Sequence, residues 1–295
     1  MVKVIKTQPV GIRADLEAKV DISKVHGGYF SSEENARQFI KAGITPIKKK
    51  LPQSVRYVDF GGGQGFLASA VRDYLLSHGK DVATTVADAN NRFLDQTKAL
   101  RISTLFCNLA EGFPLSELDL ITMRAVNHYN DISMQLKILK NGYRCLKKGG
   151  YVVSQISTGN EGNCRLRSDI VNLDSLGRVM SSEKYYWTTE AEYVDMLKQA
   201  GFTKIIHAGY APPCSWTPEE QWERFNGAKT TEALNKKDKK ILREIESQKL
   251  KFLKDANDLI QDYITSYSEV KKDIEKKSDG SNVIRYSYAI IIANK

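Results

Sequence analysis

No stretch of this sequence stays apolar for the roughly 18–20 residues that a membrane helix requires. The opening Met1-Val2-Lys3-Val4-Ile5-Lys6 runs into polar sequence without the apolar core of a secretory signal. The expectation is a cytosolic protein with no membrane partner. Cysteine is scarce as well: Cys107, Cys145, Cys164 and Cys214 are scattered with no CxxC spacing, which argues against a disulfide framework and against a zinc site. There is no internal repeat, no low-complexity tract and no strongly basic arm. The formal charge of +9 is therefore spread over the chain and is weak support for a nucleic-acid partner. The 41% hydrophobic and 27% charged residues are ordinary for a globular protein, and 295 residues suffice for one large domain with insertions.

What is present is an alternation. Residues 1–50 read as a mainly helical lead-in, with Ser31/Ser32 placed to cap a helix from Glu33 that Gly43 can end. From Val55 short apolar runs alternate with amphipathic segments: strands over 55–60, 82–88, 103–106, 118–123 and 151–156, and helices over 65–78, 92–100 and 132–146. Such alternation is the signature of parallel βαβ units. Residues 158–186 are less regular. Thr189 and Glu192 form a capping box, the helix they open closes at Ala200-Gly201, and a sixth strand follows over 202–208. A last strand is expected over 283–293, rich in β-branched and aromatic residues. The fold class is thus α/β, a doubly wound, mostly parallel seven-stranded sheet. Its organisation reads as a lead-in over 1–50, a core over 51–210, a helical insertion over 211–282 and the final strand over 283–295. In the insertion, Leu242, Ile245, Phe252, Ala256, Leu259, Tyr263, Val270 and Ile274 recur at helical spacing. They imply one or two amphipathic helices. A single helix of about 40 residues would span roughly 60 Å, so the segment must bend, break or reach a second protomer.

The chemistry concentrates at Val58-Asp59-Phe60-Gly61-Gly62-Gly63-Gln64-Gly65. Gly61, Gly63 and Gly65 occupy the loop that leaves a buried strand and enters a helix, where glycine permits a tight turn and close backbone approach to a ligand. The spacing is GxGxG, and Phe66 stands where the dinucleotide fingerprint GxGxxG needs its third glycine. Asp88 closes the second strand, where a carboxylate can accept both hydroxyls of a ribose. Capping the helix that begins near Asn90 is its other reading.

The run 57–65 resembles motif I of class I S-adenosylmethionine (SAM)-dependent methyltransferases, and Ala87-Asp88-Ala89 is similar to their motif II. Cys107-Asn108-Leu109-Ala110-Glu111-Gly112-Phe113-Pro114-Leu115 resembles the loop after the third strand, with Asn108 at the usual aspartate. Leu118-Asp119-Leu120-Ile121-Thr122-Met123-Arg124-Ala125-Val126-Asn127-His128 is similar to the fourth-strand motif. Leu146-Lys147-Lys148-Gly149-Gly150-Tyr151-Val152-Val153 resembles the turn into strand five, with Lys148 replacing the common proline. The resemblance covers roughly residues 55–210 plus the last strand, and it implies a Rossmann-like fold with SAM as cofactor and S-adenosylhomocysteine (SAH) as product.

It also implies roles. Gly61, Gly63 and Gly65 would pass close to the methionyl part, Asp59 would contact the methionyl end, and Asp88 with neighbouring Ala89 would hold the ribose. Asn108 and the Leu109 amide would meet the adenine. Arg124 would either line the cofactor pocket or form a salt bridge. Two residues are candidate catalytic groups: His128, as a base opposite the methyl or as packing beneath the cofactor, and Tyr29, on a His26-Gly27-Gly28-Tyr29 lid or as a core aromatic. Tyr185-Tyr186-Trp187, Trp216 and Trp222 would wall the acceptor or anchor the insertion.

The acceptor is the open question. No (N/D)PP(Y/F) follows strand four, and Pro213-Cys214 follows strand six, the wrong place for a nucleophile of the cytosine-methylating kind. The leading expectation is methylation of an oxygen or nitrogen of a small organic molecule, with the insertion as lid, substrate wall or homodimer contact. The rivals are methylation of RNA or protein, with the lysines of 236–254 tracking phosphates, and a non-catalytic SAM-binding protein.

Overall fold

The computed structural model describes residues 29–177 and 184–295; His26, Gly27, Gly28 and most of the expected lead-in lie outside them. Helix α1 (Glu33–Phe39) opens on Ser32, whose side chain accepts from the Asn35 amide, and passes into a π-helical turn, Ile40–Ile44. Gly43 does not end the helix. It lets the turn press on the sheet, since a Cβ there would lie 2.5 Å from Val153 Cγ1.

The alternation then unfolds as the spacing predicts: β1 (Ser54–Phe60), α2 (Phe66–Ser77), β2 (Asp81–Asp88), α3 (Asn91–Thr97), β3 (Ser103–Phe106), β4 (Leu118–Arg124), α4 (Ile132–Cys145) and β5 (Leu146–Thr158). A helix not expected from the sequence follows, α5 (Glu161–Val171), capped by Asn160. Its buried face includes Asn163, Arg167 and Ser168, so polar side chains interrupt the apolar period that would announce it. α6 (Glu190–Ala200) has the expected Thr189–Glu192 capping box.

The sixth strand, β6 (Lys204–Trp216), runs beyond residue 208 because two register shifts, at His207/Gly209 and Ala211/Cys214, absorb the Pro212-Pro213 pair. The insertion's helices follow as α7 (Pro218–Asn235) and α8 (Lys239–Ser266), before β7 (Ile274–Lys276) and β8 (Asn282–Asn294). The sheet order is β3-β2-β1-β4-β5-β8-β6, parallel as far as β5, with β8 antiparallel to both its neighbours. The short β7 is an eighth strand, paired with the start of β8 where β5 has already ended.

Strand alternation divides the core in two. Tyr57, Leu120, Val153 and Ile290 join one cluster, with residues of α1, α2, α5, α7 and α8. Their neighbours Val58, Ile121, Val152 and Ile291 join the other, with residues of α4 and α6. Helices thus cover both faces of one sheet, the doubly wound Rossmann-like arrangement. The C-terminal ends of β1 to β4 share one edge of this layer.

The insertion breaks rather than reaching outward. α7 ends in a Schellman pattern, with the Asp238 amide donating to Ala233 and that of Lys237 to Leu234, and Lys237 takes the left-handed conformation at φ 53°. α8 then spans 28 residues, roughly 40 Å. Ile245, Phe252, Ala256 and Ile260 are buried within the chain's own core. Among the described residues no helix is long and apolar enough to cross a membrane.

Candidate functional site

A cavity of about 290 Å³ lies at the C-terminal ends of β1–β4, where the loops leaving the strands converge. The glycine loop forms one wall. The Gly61 amide donates to the Ala87 carbonyl at 2.7 Å, and Gly61 turns at φ 61° with no room for a side chain, since a Cβ would meet Val126 Cγ2 at 2.6 Å. Gly61 and Gly63 line the cavity. Gly65 lies off it, at the entry to α2, where a Cβ would strike Thr97.

Asp88 ties this loop to the next strand. One carboxylate oxygen accepts the Gly63 amide at 2.9 Å and the other the Asn90 amide at 2.8 Å, while the carboxylate also lines the cavity beside Ala89. The cap of α3 is Asn90, which accepts from Arg92 and Phe93. Asn108 and Leu109 line the same end. The Asn108 side-chain oxygen accepts the Ala110 amide and its amide group donates to Glu111, an Asx turn that fixes the loop.

At the floor, Asp59 is 1% exposed. The Thr122 hydroxyl donates to its Oδ1 at 2.6 Å and accepts in turn from the Tyr57 hydroxyl at 2.7 Å. Burial pushes the Asp59 carboxyl up to about 7, against the pull of Thr122 and of nearby Arg124. Burial also lowers the Arg124 guanidinium, with Asp59 opposing. Arg124 donates through Nη2 to the Phe30 carbonyl at 2.6 Å and sits over the Phe30 ring. The two groups are attracted without an ion pair. Among the described residues neither Asp59 Oδ2 nor Arg124 Nη1, both buried, has a hydrogen-bond partner, and both residues line the cavity. An unpaired buried acceptor and donor each cost roughly 1–3 kcal/mol. A carboxyl and a guanidinium on one cavity could receive a ligand that bears an ammonium and a carboxylate, such as an α-amino-acid group. Ala125, just beyond, holds φ 55°, a strained conformation for a residue with a side chain.

The two candidate catalytic residues lie behind the cavity wall. His128 is buried, with its ring stacked on Trp187 (centroids 4.8 Å apart) and packed on Tyr129, and its carbonyl accepts the Tyr186 amide. Tyr29 stacks on Tyr288, donates its hydroxyl to the Pro212 carbonyl and accepts from Gln155; burial raises its hydroxyl above the ordinary tyrosine range. The positions beside them do reach the cavity: Phe30 and Ser31 from the lead-in, Tyr129 and Asn130 after β4. Tyr185, Trp187, Trp216 and Trp222 are buried core. The insertion contributes Arg224, which no sequence motif flags and which donates to the Tyr129 hydroxyl at 2.7 Å. Thr122 reads in the sequence as one more strand residue. Its signal was the lone hydroxyl in the apolar run Leu120–Met123.

The family model described as "Methyltransferase domain" matches residues 32–207. No curated protein matches the sequence. Among solved structures, a proposed methyltransferase from Bacillus halodurans C-125 is similar at 15% identity and TM-score 0.58, covering 88% of this chain and 98% of that one. The YcgJ protein from Bacillus subtilis is similar at 15% identity and TM-score 0.58, covering 90% and 99%. At these identities the likeness is one of fold.

Proposed function

We infer the acceptor from one premise: this chain belongs to the methyltransferase-domain family and is a SAM-dependent methyltransferase. The inference is that it methylates an oxygen or nitrogen of a small organic molecule. SAM presents an electrophilic methyl group on a sulfonium sulfur, so the protein's task is to hold, align and keep water out. Asp59 and Arg124, which line the cavity, offer a carboxyl and a guanidinium to the ammonium and carboxylate of its methionyl end. Asp88, whose oxygens brace Gly63 and Asn90, lines the cavity where the ribose would lie. Asn108 and Leu109 stand at the adenine end.

The observation that carries the small-molecule reading is that the chain's own lead-in and insertion border the cavity. At about 290 Å³, it is walled by Phe30 and Ser31 on one side and by Arg224 of the insertion on another. The acceptor would meet a wall built from two separate segments of the chain, which suits a compact molecule better than a chain of nucleotides or amino acids. Incubation of the purified protein with SAM and a fractionated metabolite extract, read by mass spectrometry, should show one small species gaining a single methyl. Methyl incorporation confined to RNA or protein fractions would overturn this reading.

A further inference from the structure

Strand geometry gathers three polar side chains under the floor of the cavity. Successive side chains of a strand alternate between faces, so Tyr57 and Asp59 share one face of β1. The parallel register sets Thr122 of β4 beside Asp59. All three residues are buried, and of the three only Asp59 lines the cavity.

The ionised form of Asp59 fixes the direction of the chain they make. A carboxylate can only accept, and a hydroxyl has one proton to give. Thr122 therefore gives its proton to Asp59 Oδ1 at 2.6 Å, and Tyr57 gives its own to Thr122 at 2.7 Å. Each link polarises the next, and the chain ends on an oxygen that carries charge. The other oxygen, Oδ2, lies against the glycine loop, where a Cβ on Gly62 would come within 2.6 Å of it. Gly61, Gly63 and Gly65 take left-handed φ and Gly62 does not, so Gly62 serves to make room for this carboxyl.

The other groups that face Asp59 pull both ways. Arg124 on β4 and the Ala68 amide on α2 favour its charged form, whereas Asp88 on β2 opposes it and burial opposes it most. Arg124 acts from a distance, since its Nη2 donates to the Phe30 carbonyl. Among the described residues, the side-chain hydrogen bond that favours the carboxylate comes from Thr122.

We propose that Thr122, polarised by Tyr57, is a positioning residue for the cofactor, holding Asp59 against the glycine loop and setting the pH range in which the cofactor's ammonium binds. An ammonium gains most from the ionised carboxyl, and that is the form in which the hydroxyl chain is complete. Neither hydroxyl touches the reacting atoms; both act through Asp59. The proposal rests on the methyltransferase reading above and deepens it.

The test is the SAH affinity of the full-length protein, measured by calorimetry from about pH 5 to about pH 9, a range that spans the ionisation of Asp59. Wild-type affinity should rise with pH to a plateau. Thr122→Val keeps the shape of the side chain and removes the donor. It should move the midpoint of that rise up by about one pH unit, the roughly tenfold worth of one hydrogen bond to a charged group. Thr122→Ser should restore the wild-type curve, and Tyr57→Phe should shift it in the same direction by less. An unmoved midpoint in Thr122→Val, or affinity lost equally at every pH, would overturn the proposal. If urea unfolding shows Thr122→Val to be unfolded, an unmoved midpoint in Tyr57→Phe does so instead. Wild-type binding that ignores pH removes Asp59 from the cofactor site and the proposal with it. Failure of the wild-type protein to bind SAH at any pH would strike the methyltransferase reading beneath both.

Discussion

Asp59 shows how a single buried group links folding, protonation and cofactor binding. Its carboxyl is raised to about 7 by burial, from an unfolded value near about 4. Between those values the folded chain holds a proton that the unfolded chain has released. The group's contribution to stability is therefore complete below about pH 4 and lost as pH rises through about 7. Urea unfolding of the unliganded protein should show that fall, and Asp59→Asn should flatten it. Binding a cofactor ammonium at Oδ2 favours the ionised form, so SAH binding near about pH 6 should release up to one proton, and almost none near about pH 9. Calorimetry in two buffers of different ionisation enthalpy measures this, and zero release at the lower pH would remove Asp59 from the cofactor site. His128 calls for a different experiment. Stacked on Trp187 behind the wall, it should act through packing: His128→Ala should lose about 2 kcal/mol of stability, and His128→Phe should recover most of it with near-normal turnover. A stable His128→Phe protein without turnover would make the imidazole the base. The backbone part of the site was legible in the sequence because loop glycines and a strand-end carboxylate answer to local geometry. Phe30, Thr122 and Arg224 were not. Their roles arise from which strands lie side by side and from where a distant helix docks, and beyond the lone Thr122 hydroxyl in its apolar run neither leaves a mark at short range.

Elements were legible where one physical signal dominated. The Thr189–Glu192 box and the period-two strands appear in place, since a cap or an apolar alternation is a local device. α5 was missed because Asn163 and Arg167 face inward and are paired there, Arg167 with Asn163 and Ser157. β6 was read short because prolines signal an end to pairing, and bulges let the ladder resume beyond them. The insertion's amphipathic stripe is buried at Ile245, Phe252 and Ala256, but the sequence does not mark the break that folds α8 back, because the residue that makes it is a lysine. Lys237 holds a left-handed φ at the end of α7, the position glycine usually fills. Lys237→Gly should therefore stabilise the protein by about 1 kcal/mol, the usual cost of that conformation for a residue with a Cβ, and raise Tm by roughly 2–3 °C. An unchanged or lowered Tm in a calorimetric scan would mean that the lysine side chain contributes more than its backbone costs.

Over the whole molecule, the question is what the excess of +9 does. A nucleic-acid methyltransferase would gather it into a face that leads to the cavity. Here the apolar stripe of α8 turns inward, and its lysines project outward among carboxylates of the same hairpin. Lys236 pairs with Glu232, Lys249 with Glu219 and Glu223, and Lys254 with Asp258. Exposed pairs of this kind, screened by water and salt, contribute little to stability. They also lower the net field that a phosphate backbone would meet. The hairpin residue that lines the cavity is Arg224. Replacing Lys236, Lys237, Lys239 and Lys240 together with glutamine removes four positive charges at the hairpin's turn. Turnover of a small acceptor should be unchanged. Any affinity for RNA should be weak in the parent protein and should fall with salt in proportion to the few phosphates neutralised. The decisive comparison is activity and RNA affinity measured on the same preparation across a salt series. If the fourfold variant loses tight, salt-sensitive RNA binding and methyl transfer together, the hairpin is a phosphate-tracking face and the small-molecule reading falls. If turnover persists, those lysines are a solvated surface, and the small-molecule reading stands.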